Sequence, residues 1–144
     1  MHIVTTTLAT LLQGLPPTAE PVFVGCEPST PTRALRSDSR QVGRGDVFIA
    51  CAGARSDGHQ FVAAVAEAGG ISIVRADAGV CHSPRVEVPD PDAIVPLLAA
   101  NAAGWPAASL TSVGVTGTNG KTTVTHMISA IYTAADRRHL RLGT

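Results

Sequence analysis

The densest chemistry in this 144-residue chain lies in one stretch, Gly114-Val-Thr-Gly-Thr-Asn-Gly-Lys-Thr-Thr123. Glycine at 114, 117 and 120 lets the backbone approach phosphate oxygens with no Cβ in the way. A helix opening directly after such a turn aims its first N–H groups, and the positive end of its dipole, at the same spot. Lys121 can reach the outer phosphates of a nucleotide, and the Thr122 hydroxyl suits the shell of a magnesium ion. The strict pattern GxxxxGK(S/T) is missed at one place, because its first glycine would fall on Val115; the rhythm here is GxxGxxGKT. Of eleven basic residues ten are Arg, and Lys121 is the only lysine. The single compact ammonium thus stands where phosphate favours one.

Elements that could position this turn follow from hydrophobic periodicity. Thr111–Thr116 reads as a strand feeding it, and Lys121 to about Ala135 as the helix leaving it, with Val124, Met127, Ile128 and Ile131 on one side. Upstream, an amphipathic helix runs through Leu8, Leu11 and Leu12. A Pro/Ser/Thr-rich segment over 16–32 surrounds a short strand at Val22–Val24. Val47–Cys51, Ile71–Val74 and Arg85–Val88 are buried strands. A helix opens at Gly58-His59 with Phe61, Val62, Val65, Ala66 and Ala68 at helical spacing, and Gly69-Gly70 stops it. Another helix begins at Pro91, carries Ile94, Leu97, Leu98 and Ala102, and ends near Trp105-Pro106. His139–Leu142 resembles the start of one more strand. Such alternation predicts an α/β fold with a mostly parallel sheet. Two domains are expected, a small one over 1–89 and the opening strand, phosphate turn and helix of a second over 90–144.

Composition narrows the function. Eleven acidic residues cancel the eleven basic ones, which argues against a nucleic-acid binder with its basic stripe. With 44% apolar and 15% charged residues the chain can bury a core. Aromatic residues are three Phe, one Tyr and one Trp, too few for base-stacking platforms. No apolar run reaches the roughly 18 residues of a membrane span, so no membrane insertion is expected. Ile3–Leu15 is interrupted by four Thr and a Gln and lacks the basic start of a signal peptide. Cys26, Cys51 and Cys81 are odd in number and lack CxxC spacing, which fits buried thiols in a reducing cytoplasm better than zinc or disulfides. A monomer is expected.

Several separated motifs resemble, in order, the Mur ligases. They are Ser37-Asp-Ser-Arg40, Gly45-Asp-Val-Phe-Ile-Ala50, Gly53, Asp57-Gly-His-Gln-Phe61 and Val113 to Thr123. The pattern is most similar to the ligases that act on UDP-N-acetylmuramoyl-L-alanyl-D-glutamate, which add the third peptide residue of a peptidoglycan precursor. The resemblance implies a small domain holding the UDP end of the substrate, then a central ATPase domain. It implies that Ser37, Ser39, Ala54, Arg55 and Ser56 contact the UDP-sugar. Gly117, Thr118, Asn119, Gly120, Lys121, Thr122 and Thr123 would hold ATP, with Lys121 catalytic and Thr122 on Mg2+. The implied reaction is phosphorylation of a substrate carboxylate, followed by attack of a diamino acid's amine on the acyl phosphate and loss of phosphate.

Only 23 residues follow Lys121, enough for about one βαβ unit of roughly 30 residues when the preceding strand is counted. The chain therefore reads as cut short. The family's magnesium-binding acid, its modified lysine and its amino-acid-selecting domain would lie beyond it, so these 144 residues are not expected to catalyse ligation alone. Two other readings stand beside the first. One is the neighbouring ligase that adds D-Ala-D-Ala, and the other is a non-catalytic nucleotide- or UDP-sugar-binding fragment. Among remaining residues, His59 is expected to cap or pack, Asp38 and Arg40 to form a local ion pair, and His126, Arg137, Arg138 and Arg141 to face solvent.

Overall fold

A computed structural model describes residues 6–53 and 56–143 of the chain. The chain divides into two compact units, Met1–Ala108 and Ser109–Thr144.

The first unit is built on a five-stranded sheet. In chain order its strands are β2 (Val22–Val24), β4 (Leu35–Arg36), β5 (Val47–Ile49), β6 (Ile71–Arg75) and β7 (Arg85–Val88). Two further short strands, β1 (Thr6–Thr7) and β3 (Pro31–Thr32), pair antiparallel with each other. In space the large sheet runs β2-β7-β6-β5-β4, with β4 to β7 mutually parallel and β2 antiparallel at the edge. Three helices complete the unit: α1 (Leu8–Leu11), α2 (Val62–Glu67) and α3 (Pro91–Ala102).

Parallel strands covered on both faces must be apolar throughout, and Val47-Phe-Ile49 is buried at all three positions. Their period of two sorts them between the faces. Val47, Ile49, Ile71, Ile73, Val86 and Val88 face α1 and α3, where Leu8, Leu11, Ile94 and Leu98 join them. Phe48, Ala50 and Val74 turn the other way, onto Val62 and Val65 of α2. Each fully buried Leu, Ile or Val of this core contributes about 1.5–3 kcal/mol, so a helix as short as α1 is held by burial, not propensity.

Caps set the helix starts. Thr7 Oγ1 accepts the Thr10 amide hydrogen at 3.3 Å to begin α1. The Asp90 carboxylate accepts from Asp92 and Ala93 at 3.0 and 3.2 Å to begin α3, with Pro91 in its first turn. Ile94 and Leu98 are buried in the first core, and the compact unit runs to Ala108. The α/β architecture with a largely parallel sheet is the one expected.

The second unit contains α4 (Lys121–Ala134). Two sequence expectations fail here: neither Thr111–Thr116 nor His139–Leu142 is a strand. A strand exists through hydrogen bonds to a neighbour, and among the described residues of this unit no second strand stands beside either segment. The apolar residues expected along α4 are formed but open to solvent, with Val124, Met127 and Ile131 all exposed.

Candidate functional site

Two sites emerge, one in each unit. In the first, β4 and β5 lie side by side and parallel, with Leu35 opposite Val47 and Arg36 opposite Phe48. Their carboxyl ends release the segments 37–41 and 50–58. A cleft of about 490 Å³ opens there, with Ser37, Ser39, Arg40 and Ser56 on its walls and Phe48 and Phe61 as its apolar lining. Crevices outside the carboxyl ends of strands are where open α/β sheets bind ligands. A partly apolar lining with three serines and the Asp38–Arg40 ion pair suits a polar molecule with a flat or apolar part.

Local chemistry shapes both walls. Asp38 accepts from the Arg40 amide at 3.1 Å and so starts the single-turn 3-10 helix Ser39–Gln41. Its carboxylate also grips the Arg40 guanidinium in a fork, with Nε and Nη2 donating at 2.9 and 2.8 Å. The hydrogen bonds from the Arg40 side chain and amide hold Asp38 down to about 2 from the ordinary 3.8. The expected local ion pair is present, and it also fixes a cation at the lip of the cleft.

The other wall carries Cys51, Gly53, Ser56 and Gly58. Gly58 donates to the Cys51 carbonyl at 2.9 Å, and Ala52 and Asp57 face each other in an antiparallel bridge. Asp57 accepts from the His59 amide at 3.0 Å, capping the 3-10 turn Gly58–Phe61. A Cβ at Gly58 would lie 2.9 Å from both the Ala50 Cα and the Cys51 oxygen, so only glycine allows this approach. His59 has the packing role expected: its Nε2 accepts the Arg75 amide hydrogen at 2.9 Å, tying the loop to the end of β6.

Of five residues expected at the UDP-sugar, the structure brings Ser37, Ser39 and Ser56 into one cleft. Ala54 and Arg55 lie outside the described residues. Cys51, Gly53 and Phe61 line it too and were not singled out for binding. The signal that could have found them is their place just after the apolar strand Val47–Ile49, or at the first turn beyond its loop.

The second site is the phosphate turn. Gly120 takes φ +77° at the N-cap of α4, in the left-handed region that favours glycine. No side chain caps this helix and no acid stands in its first turn, so its N-terminal N–H groups remain suited to an anion. Lys121 Nζ donates back to the Gly117 carbonyl, with the Thr118 carbonyl at 3.4 Å. Thr122 follows one position on, and its carbonyl accepts from Thr125 Oγ1 at 2.9 Å. His126 is exposed on the helix. Arg137, Arg138 and Arg141, expected at the surface, are exposed as well.

The turn fits the phosphates of a nucleotide: glycine at the close approaches, an open helix N-terminus, and an adjoining ammonium. A divalent cation fits less completely. No group of three or more His, Cys, Asp or Glu that could hold a metal exists among the described residues. Thr122 would supply one oxygen, and phosphate oxygens and water most of the rest, an arrangement that suits Mg2+.

A Gly-rich turn opening a helix and a cleft at the carboxyl ends of parallel strands define the class as an α/β protein with a turn of the phosphate-binding kind. The particular family is given by comparison with known proteins. Residues 32–104 match the model "Mur ligase family, catalytic domain", and residues 115–144 match "Mur ligase middle domain". The chain belongs to the Mur ligase family.

Among curated relatives, the UDP-N-acetylmuramoyl-L-alanyl-D-glutamate--2,6-diaminopimelate ligase of Geobacter sulfurreducens is 36% identical over 135 residues, covering 92% of this chain and 26% of that protein. The enzyme of the same name from Chlamydia felis is 38% identical over 117 residues, covering 78% and 23%. The chain thus spans about a quarter of the length of these relatives.

Among solved structures, the UDP-N-acetylmuramoylalanyl-D-glutamyl-2,6-diaminopimelate--D-alanyl-D-alanyl ligase from Acinetobacter baumannii aligns with TM-score 0.57 and 27% identity, covering 93% of this chain and 29% of that one. A 2,6-diaminopimelate ligase aligns with TM-score 0.60 at 20% identity, covering 98% and 28%, a likeness of fold. No helix among the described residues is long and apolar enough to cross a membrane.

Proposed function

We propose that this chain is the substrate-holding and phosphate-binding part of an ATP-dependent amide ligase that adds a diamino acid to UDP-N-acetylmuramoyl-L-alanyl-D-glutamate. The observation that carries this reading is the cleft at the carboxyl ends of β4 and β5. Ser37, Ser39 and Ser56 are separated by up to nineteen positions, yet they meet around one opening. The relatives named above act on that UDP-linked dipeptide, which supports the choice of ligand.

The residues divide the work. Ser37, Ser39 and Ser56 offer hydroxyls to the polar parts of the UDP-sugar, Arg40 offers a cation held by Asp38, and Phe61 offers apolar surface. In the second unit, Gly117–Thr123 cradle the nucleotide phosphates through backbone N–H groups. Lys121 exchanges its carbonyl partners for the outer phosphates and offsets the charge that builds during phosphoryl transfer. Bound ATP, with Thr122 beside its Mg2+, supplies the phosphoryl group that activates a carboxylate as an acyl phosphate. Attack of the diamino acid's amine on that acyl carbon would then form the amide, break the bond to the phosphoryl oxygen and release inorganic phosphate and a proton.

Calorimetry with UDP-N-acetylmuramoyl-L-alanyl-D-glutamate tests the first site. Heat of binding that is lost in a Ser37→Ala, Ser39→Ala double variant is expected. No heat from a folded sample overturns the reading. A second reading, addition of D-alanyl-D-alanine to the UDP-linked tripeptide, is favoured by the Acinetobacter baumannii structural match. Tighter binding of the UDP-tripeptide than of the UDP-dipeptide would decide for it.

A further inference from the structure

The cleft wall that carries Cys51, Gly53 and Ser56 is held from outside the cleft as well as by the Ala52–Asp57 bridge. The Ala52 amide donates at 3.2 Å to Asp92 Oδ2, forty positions along the chain in the first turn of α3. Asp92 is not needed to cap that helix, because Asp90 already accepts the Asp92 and Ala93 amides. Its carboxylate is therefore available to the strand end. On one side of Ala52 stands Cys51 and on the other Gly53, and both line the cleft. We propose that Asp92 is a positioning residue for this cleft, fixing the Cys51–Gly53 backbone so that the wall carrying Ser56 stands opposite Ser37 and Ser39.

The role is distinct from that of the residues which line the opening, since Asp92 is not among them. It deepens the UDP-sugar reading and rests on it for the ligand. A second consequence of the contact concerns the neighbouring thiol. Burial, followed by the hydrogen bond and charge of Asp92 and the charge of Asp90, pushes Cys51 up to about 11 from the usual 9.0. Burial accounts for the largest part of that rise and Asp92 for a further part, so losing the Asp92 carboxylate should bring the thiol closer to its reactive thiolate.

Three measurements on the full chain, in a Cys26→Ser, Cys81→Ser background, test the proposal. Asp92→Ala removes the acceptor, and Asp92→Asn keeps a carbonyl oxygen for the Ala52 amide while removing the charge. Asp92→Ala is expected to speed hydrogen exchange at the Ala52 amide about tenfold or more, with Ile73 and Val86 in the sheet unchanged as the folding control. Asp92→Asn is expected to restore most of that protection. Iodoacetamide is expected to label Cys51 several-fold faster in both variants. Affinity for UDP-N-acetylmuramoyl-L-alanyl-D-glutamate is expected to fall about tenfold in Asp92→Ala and to recover in Asp92→Asn. Unchanged exchange at the Ala52 amide would overturn the anchor whatever the labelling and the ligand do. Faster exchange with undiminished affinity would overturn the positioning role. A wild type that binds none of the UDP-dipeptide overturns the UDP-sugar reading and the positioning role with it, while the exchange data still decide the anchor separately.

Discussion

The Lys121 ammonium closes back on the carbonyl of Gly117, so the cation of the phosphate turn is bonded to the loop that it serves. The contact is exposed and joins residues four apart, so it adds little to stability. A nucleotide phosphate offers more, because a hydrogen bond to a charged group contributes about 1.5–3 kcal/mol. Lys121→Ala should weaken ATP binding by about ten- to a hundredfold on that scale, with the melting temperature unchanged. Calorimetry with Mg-ATP checks the first outcome and a thermal melt the second. Lys121→Arg should recover only part of the affinity, because a planar fork replaces a compact ammonium.

Acid should open the lip of the cleft at the ends of β4 and β5. Asp38 is held at about 2 by the Arg40 hydrogen bonds, below the ordinary carboxylate value of 3.8. A folded-state value below the unfolded one means the pair stabilises the fold fully above the unfolded value. That contribution is lost as pH falls from about 4 through about 2. A carboxyl titration followed by NMR should place Asp38 near 2, and in Arg40→Ala it should return toward the ordinary value. The pair is solvent-exposed, so the change in overall stability will be small.

Gly58→Ala should damage the first unit, because the new Cβ would meet backbone atoms of Ala50 and Cys51 at 2.9 Å. Backbone cannot move aside as a side-chain tip can, and overpacking of this kind costs about 1–3 kcal/mol. Gly114→Ala is the control, since its Cβ would meet open space. Urea unfolding should separate the two variants, with a lower midpoint for Gly58→Ala alone.

Asn101 fastens the amino-terminal helix to α3. Its Nδ2 donates to the carbonyls of Leu11 and Gln13, both at 2.8 Å, and its Oδ1 accepts from Trp105 Nε1 at 2.7 Å. Asn101→Ala strands both carbonyls and should cost about 1–3 kcal/mol. Trp105 is the only tryptophan, so its emission should shift in this variant. Asn101→Asp should keep the tryptophan contact while losing the two donations, which equilibrium unfolding and fluorescence together can resolve.

Residue type and spacing were enough to read much of this molecule. Val22–Val24 and Arg85–Val88 occupy the strands expected of them, and α3 begins at Pro91. Their periodicity is local, and burial on the sheet agrees with it. Strands β1, β3 and β4 were not legible, because two-residue strands carry no period and exist through the partner each one finds. Thr111–Thr116 fails for the converse reason. Its residues suit a strand, but the second unit offers them no strand to pair with among its described residues.

Sequence by itself determined the Gly-rich turn ahead of α4, whose glycines, lysine and threonines lie within ten residues and need no distant residue to be recognised. It also determined, through separated motifs, the Mur ligase family. Tertiary structure alone decided that Ser37, Ser39 and Ser56 share an opening, because parallel pairing of β4 with β5 brings their carboxyl ends together. It alone decided that Asp92 reaches the Ala52 amide across forty positions. Spacing along a chain fixes what a local turn can do, whereas contacts across a sheet depend on the order in which its strands are laid side by side.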